Sequence, residues 1–396
     1  MVPSEQQSDT YSKTSIIDEH QVSGFCCYRV TDLPEYQTPP KVYSSPDVMS
    51  HFYKHVMSEN HEINQILSQQ LPLSPMTTEQ TRQHKAATEC ANCNCPFTSQ
   101  NHKVKHHLHL TSEYLFSACN NCNVQLKPKK CKVKDTDQDA NSYTLAIVFH
   151  NLQRYDSHFV IKHFKKQYSE KVTKSQKVSF DDVEIIPLNG ERFLQFKTGN
   201  LKFLDSFQFL STSLENLVSF LLKSGKENFP HTTQYLGDTP YTFAKGIYPY
   251  SYVDCRARFD ETKLPPIENF YNTLTDEPLA IQDYERAQEI WAHYGIQNLG
   301  QYHDHYLMSD VLLLADVFEH FRHDVLRNHE LDCLYFPTLP SLAWSMALKH
   351  TKVELDLIEE EDMYLMVESG IRGGISTISN RYSRANNPHV EGYDPQ

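Results

Sequence analysis

The sequence predicts an α/β fold, and three observations carry that prediction. A continuous apolar run, Tyr143–Phe149, has the length and composition of a buried strand. Strand-like segments behind it give way to long segments of helical period, the order expected where helices cover a sheet. Ahead of that run lies a block of foreign composition, residues 90–131, rich in Cys, His and Lys, which reads as an inserted module.

In chain order, residues 1–21 are polar and read as disordered or as a truncated beginning. Gly24–Val30 is apolar and aromatic and predicts a strand. Helical spacing of Val48, Phe52, Val56, Ile63 and Ile66 predicts a helix over Val48–Leu67, broken by the segment Leu71–Met76. Beyond Phe149, strands are expected at Val183–Pro187, Arg192–Lys197 and Leu201–Phe207. The last two flank Thr198-Gly199-Asn200, a tight-turn sequence. Ser213–Lys223 predicts a helix capped by Ser213, with Leu214, Leu217, Val218 and Leu221 on one face. A second helix is expected at residues 280–294. The longest begins near Leu299, runs toward Arg327, and turns Leu307, Val311, Leu314, Val317, Phe318 and Phe321 inward. No internal repeat is visible.

With 39% hydrophobic and 22% charged residues, the chain can build an ordinary globular core, and its length allows two or three domains. No apolar run reaches the roughly 20 residues that span a bilayer, so no membrane partner is expected. The start lacks the layout of a secretion signal, and a nuclear or cytoplasmic protein is expected. The net charge of −13 argues against a nucleic-acid binder, but Asn101–Lys134 holds seven lysines against one acid, Glu113. That local patch can meet a phosphate backbone or remain solvated surface.

Of the ten cysteines, four form two C-x-x-C pairs, Cys90/Cys93 and Cys119/Cys122. Each pair can present two thiolates to one ion, and four thiolates suit tetrahedral zinc in a structural role. Four unrelated buried cysteines would not fall into two matched pairs. Zinc could contribute on the order of 10 kcal/mol to a module with little core of its own.

A second constellation begins where the apolar run ends, with Asn151, Tyr155 and Asp156 in the segment His150–Phe159. An Asp at that place is commonly a helix cap or turn residue. Far along the chain, Tyr306 and Asp310 stand four residues apart on one face of the long helix. A carboxylate amid an apolar stripe is costly without a metal or hydrogen-bond partner.

Here the sequence resembles the proofreading 3′→5′ exonuclease of family B DNA polymerases. N-x(2,3)-[FY]-D is that family's second exonuclease motif and Y-x-x-x-D its third. The resemblance implies a ribonuclease H-like fold in which Asp156 and Asp310 help hold Mg or Mn and Tyr306 orients the attacking water. Asn151 and Tyr155 would handle a single-stranded primer end. Ser213 and Leu214 match the (S/T)-L-x-x-h element of the protein-primed subgroup, and Lys245 its K-x-x-h element; both are implied DNA contacts. Gly370-Ile371-Arg372-Gly373-Gly374 resembles the Y-x-G-G element joining exonuclease to polymerase, with Arg372, Gly373 and Gly374 beside DNA; read alone, it is a turn. The phrases Lys245–Val253, Phe259–Ile267, Tyr306–Glu319 and Gly373–Pro388 resemble polymerases of Polinton/Maverick-like transposons and related viruses.

Between the two Cys pairs, Val104–His109 with Asn123 resembles ββα-metal nucleases of the endonuclease VII type. His107 matches the general base and Asn123 the metal-site Asn. His106 stands where the family has Asp, and a neutral imidazole is a poor ligand for magnesium. This reads as a zinc-stabilised, DNA-contacting finger in which His107 and Asn123 are vestiges of a nuclease.

The resemblance implies this division: residues 22–89, the front of the exonuclease region; 90–131, the zinc finger; 140–335, the exonuclease-like domain; 336–396, a linker and the start of a polymerase domain. DNA, as primer end and template, is the expected partner, with a terminal protein primer in the full-length family. Two departures stand out. No D-x-E pair precedes Gly24: Asp18 and Glu19 are adjacent, and Asp182/Glu184 follow the second motif instead of preceding it. The polymerase metal motifs are absent as well. A fragment of a DNA-directed DNA polymerase, with no nucleotide addition of its own, is therefore expected. A stand-alone metal-dependent nuclease and a non-catalytic DNA-binding relic are the alternatives.

Overall fold

The computed structural model describes residues 20–69, 71–126, 130–132, 139–141, 143–171, 183–188, 193–273, 276–371, 382, 384–385 and 388–395. Arg372, Gly373, Gly374, Asp18, Glu19 and Asp182 lie outside the described residues. The chain divides into two compact units, the first ending at Trp344 and the second beginning at Ser345. The architecture is mixed α/β, as expected.

The first unit opens with an antiparallel pair, β1 (Phe25–Cys27) and β2 (Lys41–Tyr43), in the register Phe25 opposite Tyr43. The helix predicted from its periodicity follows as α1 (Val48–Leu67). Its apolar stripe (Met49, Phe52, Tyr53 and Val56) is buried against Leu152, Val160, Phe196, Leu201 and Phe203 to form one core. Each side chain of that size removed from water contributes roughly 1.5–3 kcal/mol.

Ahead of the inserted block stands α2 (Thr78–Ala86); the block itself contains an antiparallel hairpin of β3 (Lys103–His107) and β4 (Tyr114–Cys119) and the short α3 (Asn120–Gln125). Thr77 and Gln80 close a capping box at the start of α2. Lys103 closes its other end, donating to the carbonyls of His84 (2.7 Å) and Ala87 (2.8 Å). One lysine of the basic patch is thus spent on structure. A small pair, β5 (Lys130–Lys132) and β6 (Asp139–Asn141), leads to the main sheet.

That sheet contains β7 (Leu145–Phe149), β8 (Val183–Pro187), β9 (Phe193–Thr198) and β10 (Leu201–Asp205), in the order β7-β10-β9-β8. β7 and β10 run parallel, with Asp205 level with Phe149; the other pairings are antiparallel. Gly199, at φ +57°, makes the predicted turn between β9 and β10. One expectation needs correcting. The apolar run is not a fully buried strand: β7 is an edge, paired only with β10 among the described residues, and all five of its residues are half-buried. After β7 come a short 3-10 turn, Leu152–Arg154, and α4 (Asp156–Lys171).

β10 ends two residues earlier than predicted, because Ser206–Gln208 turns into a 3-10 segment. Ser213 caps α5 (Leu214–Leu222), accepting from the Asn216 N–H at 3.3 Å. Then come α6 (Pro230–Leu236), α7 (Ile281–His293) and α8 (Leu299–His329). The stripe predicted for α8 is rotated. Leu307, Val311, Leu314 and Phe321 are half-buried, while Tyr302, Tyr306, Ser309, Leu312, Leu313, Asp316, Val317 and Phe318 are buried. The displaced face holds a polar anchor that apolar periodicity passes over. Asp316 accepts from the N–H groups of His231 (3.0 Å) and Thr232 (2.8 Å) and from the Thr232 hydroxyl (2.6 Å). It clamps the start of α6, where orphan donors need partners. α9 (Leu339–Thr351) contains the unit boundary. In the second unit, α10 (Glu361–Gly370) buries no residue. No helix among the described residues is long and apolar enough to cross a membrane.

Candidate functional site

The four predicted thiols converge. Their sulfurs lie within 4.8 Å of one another, and Cys93 and Cys119 are 3.9 Å apart. Zinc–sulfur bonds of about 2.3 Å place the sulfurs of a tetrahedron roughly 3.8 Å apart, so the spacing suits that ion. Cys90, Cys119 and Cys122 are buried, while Cys93 is exposed at the knuckle. Burial opposes ionisation of Cys90, but backbone N–H groups of Cys119, Cys93 and Asn92 outweigh it and bring the thiol down to about 6. Cys119 accepts from the Cys122 N–H, which draws its proton affinity down as well. Such donors favour the thiolate form at these two positions, whereas Cys93 and Cys122, beside them, hold their protons more firmly than free thiols.

Beside the thiols, His106 Nδ1 and Asn123 Oδ1 pair at 2.9 Å. His107 faces the Leu71 carbonyl at 3.3 Å through Nε2 and packs edge-on against His109. Asn123 is therefore held by His106, the residue in the Asp position. Lys127, Lys129 and Lys134 lie outside the described residues.

The second cluster forms where β7 and β10 end. Asn151 adopts φ +67°, a left-handed conformation that Asn tolerates, and breaks the chain out of β7. Asp156 opens α4, where the helix N-terminus favours a carboxylate. Burial, then the charge of Asp205, pushes its carboxyl up to about 6. Tyr155 is exposed, and its hydroxyl meets His20 Nδ1 at 2.7 Å.

On α8, Tyr306 is buried and Asp310 half-buried. One oxygen of Asp310, Oδ1, is sealed from water without a hydrogen-bond partner. Burial lifts this carboxyl to about 6, against the pull of the Tyr306 hydroxyl and the Lys245 charge. Burial, then the Asp310 charge, drives the Tyr306 phenol far up. Burial, and to a smaller extent the Lys245 charge, opposes protonation of His150, so that charge acts on both the turn after β7 and Asp310 of α8. The Lys245 segment lies tight on α8: a Cβ on Gly246 would come 2.5 Å from Tyr306 Cδ2.

A carboxylate oxygen sealed and unpartnered suits a cation, and the hard oxygen donors fit magnesium or manganese better than zinc. Asp310, with its sealed oxygen, and Asp156, at the start of α4, are the carboxylates the sequence pointed to; among the described residues no three His, Cys, Asp or Glu groups cluster here as the four thiols do. Ser213 is occupied as a cap, and Leu214 is buried in the core of α5 and α8, so neither presents a free side chain.

Sequence reasoning passes over two members. The Tyr250 hydroxyl hydrogen-bonds that of Tyr306, and its exposed ring rims the site. It lies inside the phrase Lys245–Val253, an available signal. Asp205 is the other, and nothing in its sequence context marks it beyond its place at a strand end.

The chain thus combines an α/β domain, with Asp156 and Asp205 near the ends of its parallel strands and Asp310 on α8, with a module of four clustered cysteines able to hold a metal. Residues 136–394 match the family described as DNA polymerase type B, organellar and viral, and the chain belongs to that family. No curated protein and no solved structure matches it. DNA is the partner that family implies.

Proposed function

We propose that residues 140–335 form a ribonuclease H-like, proofreading-type domain that holds the single-stranded 3′ end of DNA. Residues 90–131 would be a zinc-stabilised, DNA-contacting finger of the endonuclease VII type. The polymerase would be of the protein-primed, Polinton-like kind, and residues 22–89 and 336–396 the adjoining parts of its exonuclease and polymerase regions. The observation that carries this reading is the convergence of Tyr306, Tyr250 and Lys245 on Asp310, with its unpartnered sealed oxygen. Lys245 supplies a charge for phosphate, and Tyr250 and Tyr155 supply exposed rings on which a base of any identity can stack.

Asp156 and Asp310 would hold a divalent ion, which when bound supplies an activated water and stabilises the leaving 3′ oxygen. Tyr306, whose phenol burial holds in the protonated form, engages Asp310 and the Tyr250 hydroxyl and so orients that carboxylate. End-binding is the property these residues support best. The His106–Asn123 pair favours a non-catalytic finger, since the Asn is already engaged.

The test is binding of fluorescent single-stranded oligonucleotides, followed by 3′-end degradation in magnesium or manganese. Asp156→Ala and Asp310→Ala should abolish metal-dependent end-binding and any cleavage. Equal behaviour of both variants and wild type would remove the site assignment.

A further inference from the structure

Asp205 is the least exposed carboxylate of the site, at 1%. It cannot reach a strand of DNA, yet it faces the turn that the site depends on. Its Oδ1 accepts from the Asn151 N–H (2.8 Å) and the Phe207 N–H (3.0 Å), and its Oδ2 from the Gln153 N–H (3.0 Å). Because β7 and β10 are parallel and end level, the turns that leave them lie side by side. Three more bonds stitch those turns together. His150 Nδ1 meets the Ser206 hydroxyl at 2.9 Å, His150 Nε2 meets the Thr212 carbonyl at 3.0 Å, and Gln208 Nε2 donates to Gln153 Oε1 at 2.6 Å.

We infer that Asp205 is a positioning residue: it heads this stitch and fixes the Asn151–Asp156 turn so that Asn151, Tyr155 and Asp156 face the strand end together. The left-handed Asn151 would otherwise be free to relax, because that conformation is unfavourable for a residue with a side chain. A carboxylate answers N–H donors on both of its oxygens, which an amide or hydroxyl cannot do. Charge-assisted bonds of this kind are the strong ones in a fold. The inference rests on the end-binding reading above, and its test separates the two.

The probe is a single-stranded oligonucleotide carrying 2-aminopurine at its 3′ end, in calcium buffer to suppress cleavage. Asp205→Asn keeps the size of the side chain but sets an NH2 group against one of the three donors. The dissociation constant should rise about tenfold, the size expected when a hydrogen bond to a charged group is lost. Amide exchange of residues 151–155 should quicken in the same protein. Asp316→Asn is the control for a purely structural carboxylate; it should lower the melting temperature and leave binding unchanged. If Asp205→Asn does not fold, Gln208→Ala cuts the same stitch from its outer side and should weaken binding about threefold. Wild-type affinity in either folded variant would overturn the assignment of Asp205 and leave the end-binding reading standing. A wild-type chain without affinity for 3′ ends would overturn both.

Discussion

The thiol cluster and the acidic cluster both bring like charges together, but they draw on the chain very differently. The thiols come from residues 90–122, carried by one hairpin, one short helix and a knuckle. The acidic site draws on Asn151–Asp156, Asp205, Lys245–Tyr250 and Tyr306–Asp310, segments that meet only once sheet and helices have packed. In the first, ligands make the local fold; in the second, the fold makes the site. Removing a ligand should therefore unfold the one and leave the other standing.

The largest effect is expected at the thiols. Cys90→Ser/Cys122→Ser, or strong chelation, removes a contribution on the order of 10 kcal/mol and should unfold residues 78–126. Limited proteolysis and metal analysis would show cleavage confined to that block and loss of one equivalent of zinc. Retention of a folded, protease-resistant module without metal would break the comparison at its first term.

Next comes Gly246→Ala. The added methyl would press into the Tyr306 ring, a contact far shorter than real Cβ atoms make, and the cost should be roughly 1–3 kcal/mol. End-binding should fall with stability, while zinc content stays at one equivalent. Chemical denaturation and metal analysis on one sample check both halves.

The acidic site also predicts a pH dependence. Asp156 and Asp310 each sit at about 6, above the ordinary carboxylate value near 4 that the unfolded chain recovers. Their contribution to stability is full below about pH 4 and is lost as pH rises through about 6, on the order of 2 kcal/mol per carboxylate. The melting temperature of wild type relative to Asp310→Asn should fall across that window. Manganese at pH 7 should restore it. A flat difference between the two proteins would show that Asp310 carries no such penalty. Smallest of all, Ser213→Ala should cost about 1 kcal/mol, the worth of a helix cap, with end-binding unchanged. Loss of binding at unchanged stability would instead make Ser213 a DNA contact.

The same contrast explains what is legible in the sequence. The Cys pairs are legible because their spacing in the chain is their spacing in the module. α1, α5 and β8 are legible because periodicity and caps act locally. The buried face of α8 is not, because Tyr306, Ser309 and Asp316 belong to it, and apolar patterning assigns no inner role to a polar side chain. Asp316 is inside because α6 presents N–H donors to it, a fact located 84 residues away. Asp205 is invisible for the same reason: its meaning lies in the amides of Asn151 and Gln153. The composition of β7 suggests burial, but burial also needs a neighbouring strand, which composition does not report.

Where the four-cysteine module sits gives it an influence beyond its own fold. It occupies most of the excursion between α1 and β7, whose ends are tied where Asn64 Oδ1 accepts from the Tyr143 N–H at 2.9 Å. Closing that loop costs chain entropy that grows with the logarithm of its flexible length. With the module folded, the slack in a loop of about 75 residues shrinks about threefold, which lowers the closing cost by about 1 kcal/mol. Loss of zinc would thus loosen the docking of α1 on the sheet, a core that none of the four thiols touches. A metal bound there would act as a reel, shortening the line between two distant parts of the chain.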